Sequence, residues 1–260
     1  MNILNRSIFT VGAITLAGGL CSQAKADISY TISDASLEYV TVQYQSTQYS
    51  VLAGGIGITA TTATGGAPSS YVSVCTDFMG SLYLGNNYSY AAPIPTSGAL
   101  AAGYNPDPSW GTAAAAAIQN ASTLYANYSS VLTSGNYDAA AGLQLAVWTA
   151  LYDSTGVNTL NTGSGATFLA VNNGADSTAI TDEMAYLNAL EGGTLTGGSP
   201  VQIFLPDPDD YTNGGNPPNV PPQGLLLYAP VPEASTVITA TLLLLSFGIC
   251  SLKSFGKFRA

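Results

Sequence analysis

Three cysteines, one glutamine between leucines and a long segment without a basic side chain set the chemistry open to this chain. The cysteines are Cys21, Cys75 and Cys250. The five basic residues are Arg6, Lys25, Lys253, Lys257 and Arg259, and histidine is absent. From Asp27 to Pro232 the chain carries fourteen carboxylates and no Lys, Arg or His. Without histidine there is no Ser-His-Asp triad, no Cys-His protease site and no usual zinc site. Without an internal lysine there is no Schiff-base lysine and no Lys–Asn isopeptide staple. Nucleic acid is excluded as a partner of this segment, because phosphate binding needs Lys or Arg to displace counterions.

The two ends account for two of the cysteines. Arg6, the apolar run Ile8 to Cys21 and the small-x-small triplet Ala24-Lys25-Ala26 read as a secretory signal over residues 1–26, cleaved before Asp27. At the other end, Val231-Pro232-Glu233 precedes an apolar stretch over about 236–252, followed by Lys253, Lys257 and Arg259. As a helix that stretch is roughly 25 Å long, barely a bilayer core. The basic tail stays cytoplasmic and places residues 27–230 outside. This arrangement resembles the PEP-CTERM sorting signal of Gram-negative bacteria. Ala234 stands where that family usually has a second proline. The resemblance implies an exosortase as a partner beside signal peptidase. It also implies membrane anchoring by the C-terminal helix before processing, then a cell-surface or extracellular-matrix location. A plain single-pass anchor is the alternative.

Cys75 is then the lone cysteine of the exported segment, and a free thiol outside the cytoplasm invites oxidation. Gln144 lies between Leu143 and Leu145 on the strongest helical pattern, with Ala140 and Trp148 four residues to either side. That puts its amide at the edge of the apolar stripe, partly buried and in need of partners. Val74-Cys75 and Leu143-Gln144-Leu145-Ala146-Val147-Trp148 together resemble the thioester domain of bacterial surface adhesins, with a core over about residues 70–153. The resemblance implies a Cys75–Gln144 thioester that acylates an amine on a target, with Trp148 as supporting core. A segment free of lysine also holds no internal ε-amine to quench such a bond. Asp77, Tyr137, Tyr152 and Asp153 are the candidate supporting polar groups. The plainer alternatives remain: a small buried hydrophobe for Cys75, a surface or capping amide for Gln144 and ordinary core for Trp148.

Other constellations are weaker. Asp207, Asp209, Asp210, Asn213 and Asn216 offer oxygen ligands, but Tyr211 breaks the calcium-loop pattern. Asp182 and Glu183 are sequence neighbours on one helix and do not face each other across a cleft, so a glycosidase is not supported. No cofactor and no metal are expected.

These residues need elements to hold them. Hydrophobic residues make up 47% of the chain and charged residues 8%, against about a quarter charged in ordinary domains. There is ample material for a core. Alternating runs predict strands over Ile28–Ile32, Leu37–Tyr44, Gln48–Leu52, Tyr71–Phe78, Val201–Leu205 and Gly224–Tyr228. Gly54–Gly66 reads as a strand-loop or turn. Helices are predicted over Thr112–Tyr128, Tyr137–Tyr152 and Thr178–Leu190. In the second, Ala140, Leu143, Val147 and Leu151 form one apolar stripe, and Asp138 favours the helix dipole in the first turn.

The order predicts an α+β domain over residues 27–230, an antiparallel β-sandwich or barrel with a helical insertion. The expected function is covalent attachment at a surface or matrix, not turnover catalysis. The alternative is a non-covalent structural or sugar-binding protein of an extracellular polysaccharide (biofilm) matrix.

Overall fold

The computed structural model describes residues 28–33, 36–62, 69–78, 87–90, 94–101, 103–107, 113–153, 166–172, 174, 176–196, 201–205 and 224–228. The signal residues Ala24 and Ala26, the sorting motif Val231-Pro232-Glu233, the apolar stretch 236–252, the basic tail and the Asp207–Asn216 loop lie outside these residues. Among the described residues no helix is long and apolar enough to cross a membrane.

The chain is α+β, with every strand pair antiparallel. The strands are β1 (Ile28–Ser33), β2 (Leu37–Tyr44), β3 (Thr47–Gly54), β4 (Ile56–Thr62), β5 (Ser69–Cys75), β6 (Asn87–Tyr90), β7 (Ile94–Pro95), β8 (Phe168–Ala170), β9 (Val201–Phe204) and β10 (Leu225–Tyr228). The helices are α1 (Ala114–Tyr128), α2 (Tyr137–Tyr152) and α3 (Ser177–Glu191). One sheet runs β6-β1-β4-β5-β10-β9-β7 and a smaller one runs β3-β2-β8. Among the described residues, α1, α2 and α3 fall between β7 and β9 in the chain, as the expected insertion requires.

Most predicted elements are found within two residues of their expected bounds. Within the Gly54–Gly66 stretch, Ile56–Thr62 forms β4. β5 ends at Cys75, short of the predicted Phe78, so Asp77 and Phe78 sit on the turn that follows the strand. β6, β7 and β8 carried no clear signal, because they span only four, two and three residues. Such strands are made by their neighbours more than by their own alternation.

Helix α2 corrects the reading of a one-sided stripe. Every residue from Ala139 to Tyr152 is buried. The helix packs against α1 and α3 and touches strands of both sheets, β5 on one side and β2, β3 and β8 on the other. A helix covered all round no longer needs a polar face. Its start is fixed locally: the Asn136 side chain accepts from the Ala139 N–H at 3.2 Å, and Asp138 lies in the first turn. Gly142 lets α3 approach closely. A Cβ there would lie 2.7 Å from the Ala179 carbonyl oxygen and 2.7 Å from Asp182 Cβ.

Candidate functional site

The two residues singled out for chemistry meet, although 69 positions separate them. The Cys75 N–H donates to Gln144 Oε1 at 2.8 Å, and Gln144 Nε2 donates to the Cys75 carbonyl at 2.8 Å. Both residues are buried, Cys75 with 4% and Gln144 with 1% of its surface exposed. The amide at the edge of a stripe is therefore wholly inside.

Backbone geometry explains why an amide is needed there. Thr76 N–H donates to the Gly224 carbonyl at 2.8 Å, which makes the neighbouring Cys75–Leu225 pair of β5 and β10 the non-bonded one. The Cys75 N–H and C=O consequently point to the opposite edge, where β4 lies. But β4 begins at Ile56, opposite Ser73, and the chain before it leaves for β3 in the other sheet. Among the described residues no strand residue faces Cys75 on that edge. The Gln144 side chain supplies the donor and acceptor a strand would have supplied. An unpaired buried peptide group costs about 1–3 kcal/mol, so the clamp has structural value by itself.

The surroundings of the pair are aromatic and polar. Phe78 packs edge-on against Tyr152, Tyr44 and Phe168, with ring centroids at 4.9, 5.2 and 5.4 Å. Trp148, one turn beyond Gln144 on α2, packs edge-on against Phe78 with ring centroids at 6.2 Å. Trp148 is core, as expected, yet its Nε1 is buried without a hydrogen-bond partner among the described residues. The same holds for Thr76 Oγ1, beside Cys75. The Tyr152 hydroxyl lies 3.1 Å from the Thr76 carbonyl and 3.5 Å from Asp77 Oδ1, and the Tyr104 hydroxyl donates to the same carbonyl at 3.4 Å. The Tyr44 hydroxyl donates to the buried Asp107 carboxylate at 2.8 Å.

Of the four candidate supporting groups, Asp77 and Tyr152 belong to the site. Tyr137 does not; it opens α2 two turns before Gln144 and is 55% exposed. Asp153 is buried and serves the chain beyond α2, where its Oδ1 accepts from the Thr167 N–H at 3.3 Å. The sequence reading missed Thr76, Tyr104, Tyr44 and Asp107. A Thr just past a strand end, and an Asp and two tyrosines on separate segments, give no spacing signal of their own.

The electrostatics hold the thiol neutral. Burial pushes the Cys75 thiol well above its ordinary pKa, and the Asp77 charge pushes it further. Burial likewise raises the Tyr152 and Tyr104 phenols, so both remain protonated hydroxyls. The site thus holds a neutral thiol, an amide whose oxygen already accepts a backbone N–H, and a carboxylate. Among the described residues no group of three or more His, Cys, Asp or Glu is placed to hold a metal ion. No family model matches the sequence, and no curated protein or solved structure matches it either.

Proposed function

We propose that residues 27–230 form an exported, surface- or matrix-associated protein, sorted by an exosortase, that attaches to amine-bearing targets through a Cys75–Gln144 thioester. The observation that carries this reading is the pair of 2.8 Å hydrogen bonds joining the Gln144 amide to the Cys75 peptide. They hold the amide carbon beside the residue that bears the thiol. They also place the Cys75 N–H on the oxygen where negative charge would develop, the geometry of an oxyanion donor. Thiol attack on Cδ would form Sγ–Cδ, break Cδ–Nε2 and release ammonia, which carries off the thiol proton. The two sheets and the buried α2 would form one β-sandwich or barrel around this bond.

One observation favours a second reading. Both hydrogen bonds engage the Cys75 backbone, which makes the pair a sufficient structural clamp without any chemistry. The protein would then be a non-covalent structural or sugar-binding component of an extracellular polysaccharide matrix.

Intact mass separates the two. The exported protein and its Cys75→Ala variant are each compared with the mass calculated for their processed chain. Under the thioester reading the wild type alone is lighter by one ammonia, and methylamine restores mass while freeing one thiol. A wild type of full mass whose Cys75 alkylates only on unfolding leaves the matrix reading.

A further inference from the structure

Strand β3 is an outer strand of the smaller sheet, whose order β3-β2-β8 leaves one long side of it without a neighbouring strand. The phase of the ladder shows which groups that side presents. On the β8 side of β2, the Thr41 carbonyl accepts from the Val171 N–H at 2.8 Å, and the Gln45 N–H donates to the Thr167 carbonyl at 3.0 Å. Peptide groups alternate in direction along a strand. Those of Val40, Val42 and Tyr44 therefore point the other way, to Val51, Tyr49 and Thr47 of β3. The N–H and C=O groups of Gln48, Ser50 and Leu52 are left pointing off the sheet. Among the described residues none of these groups has a hydrogen-bond partner.

We propose that this edge pairs with the same edge of a second copy of the chain, β3 against β3 antiparallel, about a two-fold axis at Ser50. In that register Gln48 lies opposite Leu52 of the second copy, and Ser50 lies opposite its own counterpart. Each such pair exchanges two N–H···O=C bonds, so every outward peptide group finds a partner on both copies. Tyr49 and Val51 face the core but are only half-buried. Across the seam they become cross-strand neighbours, an aromatic beside a β-branched side chain.

Length and charge select the edge and its occupant. Free edges are usually blunted by lysine, proline or a bulge. β3 has no charged residue and no proline, and its eight residues pair with β2 in unbroken register. The other outer strands among the described residues, β6, β7 and β8, have four, two and three residues, too few to present three outward-pointing ones. Residues 27–232 hold fourteen carboxylates and no basic side chain, so two copies approach closely only where carboxylates are absent. From Tyr39 to Thr76 the chain has no charged residue at all. Asp176 and Asp107 bond to Thr41 and Tyr44 of β2, one strand in from the edge. The seam thus sets no charged residue of β3 against another. A single ladder is a small interface, so the association is weak and concentration-dependent.

The inference does not rest on the thioester reading; a wild type of full mass sinks that reading and leaves the dimer standing. The full chain, exported and recovered, is followed by sedimentation velocity over about a hundred-fold range of concentration, as wild type, Ser50→Pro and Ser50→Lys. Circular dichroism establishes that each is folded. Proline at this position removes an N–H that β2 does not use, and lysine sets like charges opposite each other at the two-fold axis. The wild type should pass from monomer to dimer, and each variant should weaken the dimer by about tenfold or more. Under mild oxidation Ser50→Cys should give a disulfide-linked dimer, whereas Gln43→Cys, on the same sheet face but one strand in, should not. A wild type that stays monomeric at every concentration overturns the proposal. So does a dimer that both Ser50 variants leave unchanged, or one that Gln43→Cys traps and Ser50→Cys does not. If Ser50→Pro does not fold, Ser50→Lys and the two cysteine variants decide by the same outcomes.

Discussion

At the scale of single residues, Gln144 decides the most. Its amide satisfies both peptide groups that β4 leaves unpaired at Cys75. Gln144→Ala would bury a donor and an acceptor without partners and open a cavity in α2. Urea denaturation should show a loss of about 2–4 kcal/mol. Gln144→Glu keeps the shape but sets a carboxyl oxygen against the Cys75 carbonyl, so that variant should be tolerated best at acid pH, when the carboxyl can donate. The Gln144 contact was only half legible beforehand. The leucines on both sides marked a burying helix, but the identity of the partner peptide depends on where β4 ends. Another local feature had no signal at all. The β2–β3 turn places Gln45 and Ser46 in the left-handed region, at φ 47° and 73°. Such two-residue turns normally carry Asn-Gly, so the sequence did not announce the hairpin. Replacing the pair by Asn-Gly should raise stability by about 1 kcal/mol, read as an increase in Tm.

At the scale of elements, the contact between α2 and α3 is the most exacting. Gly142 sits where a methyl group would overlap α3 backbone and Asp182. Gly142→Ala should therefore cost about 1–3 kcal/mol despite the better helix propensity of alanine. Beside it, Glu183 is 2% exposed and faces α2, where its Oε1 accepts from the Thr149 hydroxyl at 2.6 Å. Burial without a cation pushes its carboxyl up to about 7, while the Thr149 hydrogen bond pulls the other way. A carboxyl raised in the folded state binds its proton more tightly there than in the unfolded chain. Its contribution is full below the unfolded value near 4.5 and is lost as pH rises through about 7. The difference amounts to about 3 kcal/mol. Glu183→Gln keeps an acceptor for Thr149 and removes the ionisation. Stability of that variant, followed by denaturant titration, should fall less steeply from pH 5 to 8 than that of the wild type.

At the scale of the whole molecule the same trend has a wider cause. Residues 27–232 carry fourteen carboxylates and no basic side chain, so none of these carboxylates has a cationic side chain within that segment to pair with. Burial raises Glu38 first, then the charge and hydrogen bond of Asp138 and the charge of Asp176; burial and Asp138 also raise Asp182. These groups join the start of β2, the first turn of α2 and the N-terminal half of α3. Glu38, Asp182 and Glu183 bind protons more tightly when folded, so the domain should be most stable at mildly acid pH. Added salt should stabilise it at pH 8 by screening self-repulsion, and should matter less at pH 5. Thermal unfolding at two pH values with and without 0.5 M salt checks the sign; a salt effect larger at pH 5 than at pH 8 would contradict it.

The sequence by itself determined the order of elements, the three helices and the long strands, because apolar periodicity over eight or more residues admits few structures. It also determined the absence of histidine and lysine chemistry, and which thiol and which amide were worth pairing. Only the tertiary structure decided that α2 is covered on every side, since its small residues Ala140, Ala141, Gly142 and Ala146 pack as well against a second layer as a stripe packs against one. It decided that Gln144 lies against the Cys75 peptide, because that contact arises where one strand stops and its chain crosses to another sheet. And it gathered Thr76, Asp77, Tyr104 and Tyr152 around them, from three segments whose convergence no local spacing encodes.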